Sequence, residues 1–489
     1  MRLEQLTIKN LRLFGNEEQT INFSADKNIT VFLGDNGAGK TTVLHGCTVA
    51  LSNFFLAFPE ISNKVFTDTD VRAINNTQRA DYLHVRMNIS NNDNKPIQID
   101  QYKKGNSNDT PKSNLIELKE YANLLKERID ANERVTLPVL AYYGTERGQI
   151  NPPERRRDFN KIFPRWDAYK DALEPATNFK RFFTWYERNE DEERREKEAR
   201  RDWQYRSYVL EAVRKALNKM DDRYFRPRVL TSPLRFVMDD ISELNPNERK
   251  LYKQLYSMGW PLSGPIKNIS FDIKGVEEDG GVRKEVRAVK EIRIEQMSDG
   301  YRIMIAMIAD IAARMAEANP SPECSGLDDP LNTPGIVFID EIDLHLHPVW
   351  QRKVLRQLNA IFPHVQFIVT THSPNVVMGA LDLVQVVKLE NGIVDSQIDS
   401  IRYAYYDISQ LLLSELFELD NVRSDEYLKI KHERYELIHK DAVEGLSEEE
   451  RNRLKDLDKK ISLYDPHEGE EMRQIIKLLD DIAHPTSHD

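Results

Sequence analysis

Apolar residues in the first part of the chain alternate with polar ones, which is the spacing of half-buried strands. The alternating positions are Leu3, Leu6, Ile8, Leu11, Ile21 and Phe23. A nearly continuous apolar run, Ile29–Leu33, then has the β-branching and length of a buried strand. Glycines follow directly, and residues 42–58 are compatible with a helix. The pattern predicts a strand, a glycine-rich loop and a helix, in that order.

Later apolar runs repeat the pattern of buried strands at Val139–Tyr143, Gly335–Ile339, Val365–Thr370 and 384–389. A helix-patterned run at 301–318 lies among them. Strands that alternate with helices predict an α/β fold built on an open parallel sheet. In such a sheet, ligands bind at the edge where the strands have their carboxyl ends.

The segment 151–265 has a different composition. Its residues 187–202 include 14 charged side chains, eight acidic and six basic. Because the signs are mixed and no Gly or Pro interrupts the run, we interpret it as a solvated helix with pairs such as Glu190–Arg194 and Glu193–Lys197. The aromatic and arginine residues at 155–186 fit a core with its adjoining surface better than a nucleic-acid platform.

Composition narrows the class of protein. The chain has 489 residues, enough for about three domains, with 40% hydrophobic and 30% charged residues. These values exclude a membrane protein, a disordered chain and a collagen-like rod. The two cysteines, Cys47 and Cys324, cannot form a disulfide framework. We therefore expect a soluble cytoplasmic protein.

The net charge of -11 is unevenly distributed. Residues 413–489 contain 12 Lys or Arg and 21 Asp or Glu, which places -9 there and leaves -2 for the rest. A uniformly basic nucleic-acid binder is excluded, although a local basic surface outside this acidic segment is not.

The first chemical motif is the loop after Ile29–Leu33, which fits G-x-x-x-x-G-K-[ST] from Gly34 to Thr41. Its backbone N–H groups and the following helix N-terminus suit a phosphate. Lys40 is expected to reach the β- and γ-phosphates, and Thr41 to hold Mg²⁺. The expected nucleotide contacts are Asn36, Gly37, Ala38, Gly39, Lys40, Thr41 and Thr42.

Two further strands end in candidate catalytic residues. Gly335–Ile339 is followed by Asp340 and Glu341. Asp340 suits Mg²⁺, directly or through water, and Glu341 suits a general base for the attacking water. His372 follows Val365–Thr370 and would face the γ-phosphate as a sensor.

A second anion-binding helix start is predicted at Ser298-Asp299-Gly300, ahead of the helix at 301–318. One nucleotide has a single triphosphate, which the loop at Gly34–Thr41 is already expected to bind. Ser298 and Gly300 are therefore expected to face a nucleotide carried by another copy of the protein. A plain serine N-cap followed by glycine is the alternative.

Four motifs follow one another along the chain: the phosphate-binding loop (P-loop) at Gly34–Thr41, S-D-G at 298–300, D-E after the strand Gly335–Ile339, and T-H-S after the strand Val365–Thr370. In this order they resemble an ABC-type ATPase head of the SMC, RecF-like and OLD-type branch. LTIKNLRLFG and DEIDLHLHP resemble the OLD-like group and not transporter subunits. The resemblance implies an α/β head with a mixed sheet flanked by helices, ATP and Mg²⁺ as cofactors, and a homodimer or higher homo-oligomer. Nucleic acid is a further candidate partner, and a membrane is not. The implied parts are a P-loop half (1–150), a helical insertion (151–265), a second half (266–405) and an acidic helical tail (406–489).

The same resemblance assigns two further positions. His347 stands at the D-loop position, because the segment after Glu341 contains His-Leu-His-Pro. Gln149 is the candidate Q-loop glutamine that contacts Mg²⁺ and water, with Arg147 approaching phosphate as the alternative. His345 and His347 could instead form a metal pair, but nothing nearby completes a zinc set.

A narrower resemblance concerns the partner. The chain resembles the ATPase subunit of Septu-type antiphage systems (PtuA-like), which is also found beside retrons. The resemblance is carried by the short insertion and by the segments PVLAYYGTER and LFELDNVRSDEY. This implies an HNH nuclease supplied in trans.

Glu444-Gly445 resembles the start of a Toprim nuclease domain but lacks the apolar strand that precedes it there. Ser447 with Glu450 instead fits a helix capping box. The alternative function is a DNA-repair or structural clamp ATPase that binds DNA without a nuclease partner.

Overall fold

The computed structural model of the protein describes residues 1–106, 109–148, 164–175, 179–231, 234–257 and 289–464. Its strands are β1 (Arg2–Lys9), β2 (Gln19–Asn22), β3 (Ile29–Leu33), β4 (Tyr82–Ser90), β5 (Pro96–Lys104), β6 (Val139–Tyr143), β7 (Tyr224–Thr231), β8 (Leu234–Asp240), β9 (Lys290–Arg293), β10 (Gly335–Ile339), β11 (Val365–Thr370), β12 (Val384–Glu390) and β13 (Ile393–Asp399). Its helices are α1 (Lys40–Ser52), α2 (Ile116–Asp130), α3 (Phe179–Arg200), α4 (Tyr208–Met220), α5 (Pro246–Ser257), α6 (Asp299–Ala318), α7 (Pro322–Ser325), α8 (Pro348–Gln351), α9 (Val354–Ile361), α10 (Pro374–Met378), α11 (Ile408–Leu413), α12 (Asp425–Val443) and α13 (Glu448–Tyr464).

The central sheet has six strands in the order β13-β12-β3-β11-β10-β6. All neighbouring pairs are parallel except β12 with β13, which makes the sheet mixed. Every residue of β3, β10 and β11 is buried, as expected for strands covered on both faces. The predicted α/β fold, with a mixed sheet flanked by helices, is confirmed.

A second sheet, antiparallel and in the order β2-β1-β4-β5, is formed by the N-terminal alternating pattern. Leu3, Leu6 and Ile8 on β1 are fully buried, so this alternation marks a real core face. Tyr169 packs into the same core, where it stacks on Phe55 with ring centroids 5.0 Å apart. Part of the aromatic segment is therefore core, as the sequence predicted.

The insertion contains strands as well as helices. Among its described residues, β7 and β8 pair antiparallel, and β9, which follows the insertion in sequence, adds to β8. Phe236 on β8 is buried against Phe182, Phe183 and Tyr186 of α3. A purely helical insertion was therefore an incomplete prediction, because the burial of β8 depends on aromatic residues of α3 that are distant in sequence.

The charged helix α3 is only partly solvated. Glu193 is 4% exposed and accepts hydrogen bonds from Lys197 (2.7 Å) and Arg214 (2.7 Å). The predicted Glu193–Lys197 pair is thus confirmed. The Glu190–Arg194 pair is wrong, because Glu190 accepts from the backbone N–H of Val229 at 2.8 Å. Desolvation raises the pKa of Glu190 to about 7.

The chain divides into a first unit, Met1–Leu411, and a second unit, Leu412–Asp489. Within the described part of the second unit, α12 and α13 pack as a helical hairpin. The Ser447 N–H donates to the Glu450 carboxylate at 2.9 Å, and the Glu450 N–H donates back to the Ser447 hydroxyl at 3.3 Å. The predicted capping box is confirmed. No helix in the described ranges is long and apolar enough to span a bilayer.

Candidate nucleotide-binding site

The loop between β3 and α1 depends on its glycines. Gly34 has φ of 141°, and a Cβ there would stand 2.2 Å from the carbonyl oxygen of Leu389. Gly39 has φ of 111°, and its Cβ would meet the Phe14 ring at 3.0 Å. Since neither position accommodates a side chain, the glycines keep the loop close to its neighbours and leave its N–H groups available to an anion.

Lys40 begins α1, two residues before the predicted helix start, and is 6% exposed. Its ammonium donates to the carbonyl oxygens of Gly34 (2.7 Å) and Asp35 (2.9 Å). Burial lowers the pKa of Lys40, while Asp340 and Glu341 oppose that shift. The ammonium is thus held inside the loop. Of the other predicted contacts, Asn36, Gly37 and Thr41 are exposed, and Ala38, Gly39 and Thr42 are buried.

The loops after β3, β11 and β10 lie along one edge of the sheet, because these strands are parallel neighbours. The Thr41 hydroxyl donates to the Asp340 carboxylate at 2.8 Å, although the two residues are 299 positions apart. The other Asp340 oxygen accepts from the Thr370 hydroxyl at 2.6 Å. The structure therefore brings together the predicted metal residues, Thr41 and Asp340, at the edge where ligands bind in such sheets.

Glu341 follows Asp340 and has the left-handed φ of 46°. Its N–H donates to the Thr370 hydroxyl at 2.7 Å. Its carbonyl oxygen accepts from the guanidinium of Arg147 at 2.5 Å, and the carbonyl of Asp340 accepts from the same guanidinium at 2.5 Å. Arg147 is 2% exposed, and burial lowers its pKa.

Sequence reasoning missed what Arg147 and Thr370 contact. Phosphate is the only contact that the sequence predicts for Arg147, whereas its guanidinium donates to the main-chain carbonyls of Asp340 and Glu341. For Thr370, the sequence predicts only that it is the last residue of a strand. The available signal was an arginine four residues after the end of β6, the strand that pairs with β10. Gln149 lies outside the described residues, and its assignment stays a prediction.

His372 follows β11 by two residues, at the same edge, and its side chain is exposed. Between them, Thr371 is buried and its hydroxyl donates to the Asp343 carboxylate at 2.5 Å. The strand end is thus fixed while His372 stays accessible.

The S-D-G segment begins α6, with Ser298 as its exposed N-cap residue. Gly300 is buried, and a Cβ there would stand 2.2 Å from the carbonyl oxygen of His345. Only glycine permits this approach, so the helix start lies against the segment that follows Glu341. Sequence reasoning placed both segments at a nucleotide but did not place them in contact with each other.

His347 is exposed, and its Nδ1 accepts from the N–H of Val349 at 3.3 Å, which caps α8. His345 is also exposed and has φ of 62°. Across the part of the chain that the structure describes, no group of three or more His, Cys, Asp or Glu side chains could hold a metal ion. The capping role accounts for the position of His347 without a metal.

Tyr301, directly after Gly300, joins this region to the insertion. Its hydroxyl hydrogen-bonds the Asp221 carboxylate, and its ring meets Trp350 edge-on with centroids 5.0 Å apart. The guanidinium of Arg223 lies 5.6 Å from the same ring. The start of α6 is therefore supported from both α8 and the turn between α4 and β7.

Comparison with known proteins gives matches over most of the chain. The AAA domain family matches residues 5–224. The retron Vc95 probable ATPase of Vibrio cholerae serotype O1 biovar El Tor is 29% identical over 389 residues, which cover 76% of this chain and 71% of the relative. The retron Ec83 probable ATPase of Escherichia coli is 26% identical over 456 residues, covering 90% and 80%. The Septu protein PtuA of Bacillus mycoides (strain KBAB4) is 32% identical over 175 residues, covering 35% and 23%.

Proposed function

We propose that this chain, which is similar to the retron and Septu ATPases, is an SMC/RecF-like ATPase that closes head to head around two ATP molecules and regulates a nuclease partner in antiphage defence in the cytoplasm. The observation that carries the proposal is the 2.8 Å hydrogen bond between Thr41 of the P-loop and Asp340 at the end of β10. This bond brings the phosphate-binding loop into contact with the carboxylate that is proposed to hold the metal ion.

The residues present fit ATP with Mg²⁺. Lys40 is a buried cation whose ammonium is held by loop carbonyls, and it can move to the β- and γ-phosphates. Thr41 and Asp340 offer adjacent hydroxyl and carboxylate oxygens, the ligand type that Mg²⁺ prefers. The ion, when bound, neutralises charge that develops on the phosphates.

Glu341 and His372 complete the proposed chemistry at the same edge. Glu341 orients the attacking water and accepts its proton, and His372 contacts the γ-phosphate. Both follow neighbouring parallel strands, β10 and β11, so both can reach a phosphate held by the β3–α1 loop.

The dimer proposal depends on exposed residues of one chain that a second copy could contact. Ser298, Asp299 and His347 are exposed, and Gly300 holds the start of α6 against the His345 backbone. The S-D-G segment and the D-loop segment around His347 thus form a single unit that can approach the nucleotide of a second copy. The N-terminus of α6, with its N–H groups and positive dipole end, suits the γ-phosphate.

The second unit is the proposed docking element for the nuclease, which we take to be of the HNH type. Its sequence carries most of the net charge, and apolar side chains including Leu419 (46%), Val422 (41%) and Tyr435 (67%) are exposed. Exposed apolar groups within an acidic surface suit a more basic partner. A helical cap on the ATPase without any partner is the competing role.

Glu341→Gln tests the catalytic part of the proposal. We expect turnover to fall by about 10²- to 10³-fold, because the base is lost, while ATP binding persists. The ATP-bound dimer should therefore accumulate in size-exclusion chromatography with light scattering. Lys40→Ala, whose ATP binding should be lost at the concentrations of the experiment, is the matched control that stays monomeric. Wild-type turnover by Glu341→Gln would contradict the assignment.

Truncation before Asp425 tests the docking element. Loss of nuclease co-purification with retained ATPase activity supports docking, whereas an inactive or insoluble ATPase supports the cap. Survival of both partner binding and ATPase activity would exclude the docking proposal.

DNA binding separates nuclease regulation from the DNA-clamp alternative. A clamp should bind duplex DNA strongly as a purified protein, with affinity that falls steeply as salt increases. A nuclease regulator should need its partner for DNA or RNA cleavage. Salt-sensitive binding without any partner effect would favour the clamp.

A further inference from the structure

The backbone of Glu341 adopts a conformation that a glutamate rarely takes. Its φ of 46° lies in the left-handed region, which the Cβ of an L-residue disfavours. The direction of the Glu341 side chain is set by this φ, because rotation about N–Cα swings the Cβ. Such a conformation persists only where surrounding contacts hold it.

Arg147 holds the carbonyl side of this turn. One guanidinium nitrogen donates to Asp340 O at 2.5 Å and to Gly144 O at 2.9 Å, and the other donates to Glu341 O at 2.5 Å. The planar fork of arginine thus binds two consecutive peptide carbonyls at once. A lysine, with one compact ammonium, cannot reproduce that geometry. Because Gly144 follows β6, the guanidinium also anchors the turn to the neighbouring strand.

Thr370 holds the other side. Its hydroxyl accepts the Glu341 N–H at 2.7 Å and donates to the Asp340 carboxylate at 2.6 Å. Thr370 ends β11, and Arg147 lies in the turn after β6. The peptide groups on both sides of Glu341 are therefore fixed by side chains at the ends of the two strands that flank β10. Neither residue belongs to a phosphate-binding or acidic motif.

We propose that Arg147 and Thr370 are positioning residues that fix the left-handed turn at Glu341 and so aim its carboxylate at the attacking water. The inference rests on the proposed role of Glu341 as the base. It predicts that loss of either residue slows the chemical step and leaves ATP binding intact, because Lys40 and Thr41 are untouched.

The test compares Arg147→Lys and Thr370→Val in the full chain, measuring steady-state kcat and KM with Mg²⁺ and the ATP dissociation constant by calorimetry. We expect kcat to fall about 10- to 100-fold and the dissociation constant to change less than about threefold. Thr370→Ser keeps both hydrogen bonds and should restore turnover. Wild-type kcat in both Arg147→Lys and Thr370→Val would overturn the proposal.

Arg165→Lys is the matched control for a general loss of packing. Arg165 also donates to main-chain carbonyls, Val135 O at 2.5 Å and Ala318 O at 2.7 Å, and burial lowers its pKa as it does for Arg147. It does not contact the Glu341 turn in the described structure, so its replacement should lower thermal stability without lowering kcat. An equal fall in kcat for Arg165→Lys would reduce Arg147 to a packing role and overturn the proposal.

Glu341→Gln, measured alone and combined with Arg147→Lys, separates this inference from the proposed function. If Arg147 acts through Glu341, the double variant should hydrolyse ATP no more slowly than Glu341→Gln alone. A further fall would show that Arg147 acts elsewhere and would overturn the inference. Wild-type turnover by Glu341→Gln would instead overturn the proposed role of Glu341.

Discussion

Two regions are rich in charge: the edge of the central sheet at the candidate nucleotide-binding site in the first unit, and the helical hairpin in the second unit. They differ in how far their charged side chains are buried. At the edge, Lys40 and Arg147 are buried and bonded to main-chain carbonyls. In the hairpin, Arg434 is buried beside Asp458, but other pairs such as Glu433–Arg453 are about half exposed. Buried charges have fixed geometry and are costly to disrupt, whereas exposed pairs add little stability.

The hairpin is instead stabilised by a few apolar side chains. Leu457 and Ile461 on α13 are almost fully buried, and Tyr427 on α12 is 8% exposed. Charge therefore dominates the sequence of this segment, while its packing depends on a minority of residues. The four variants that follow test this contrast.

Lys40→Ala should have the largest effect. In the proposed site, losing the ammonium removes its charge-assisted hydrogen bonds to the β- and γ-phosphates, so ATP binding should weaken by roughly 10²- to 10⁴-fold. Calorimetric titration with ATP and Mg²⁺ measures this, with circular dichroism as the folding control. Undiminished binding would contradict the P-loop assignment.

Arg314→Met tests a buried charge away from the site. Arg314 is 3% exposed and donates to the Asp310 carboxylate at 2.7 Å and to Ala168 O at 2.7 Å. Its replacement by methionine would leave the Asp310 carboxylate without its cation. We expect the free energy of unfolding of the first unit to fall by about 3–5 kcal/mol. Urea denaturation followed by tryptophan fluorescence measures it. A change near zero would show that water replaces the guanidinium.

Leu457→Ala tests the apolar contacts of the hairpin. Because the side chain is 0% exposed, its truncation should destabilise the hairpin by about 3 kcal/mol. Amide hydrogen exchange should rise across α12 and α13. Exchange unchanged in both helices would mean that another contact holds the hairpin together.

Arg453→Gln should have the smallest effect. The guanidinium pairs with Glu433 at 2.6 Å on the surface, where solvent and salt screen the attraction. We expect the melting temperature and the exchange rates of the hairpin to stay within error of wild type. A loss equal to that of Leu457→Ala would contradict the contrast between buried and exposed charge.

Local patterns in the sequence determined most of the first unit. The bounds of β3, β6, β10 and β11 were predicted correctly, because each is a short apolar run set off by turn residues. The glycine-rich loop and the order of the strand ends placed Lys40, Asp340 and His372 at one edge. These features depend on neighbours in the chain, which a sequence displays directly.

Contacts between distant segments were decided by the tertiary structure. The charged run of α3 does not reveal that Glu190 binds the Val229 N–H, and no spacing reveals that Gly300 lies against His345. Arg147 meets Glu341 across 194 positions. Hydrophobic periodicity reports which face of an element is buried, whereas hydrogen-bond partners depend on which elements become neighbours. The sequence therefore determined the elements of the site, and only folding determined what holds Glu341 in place.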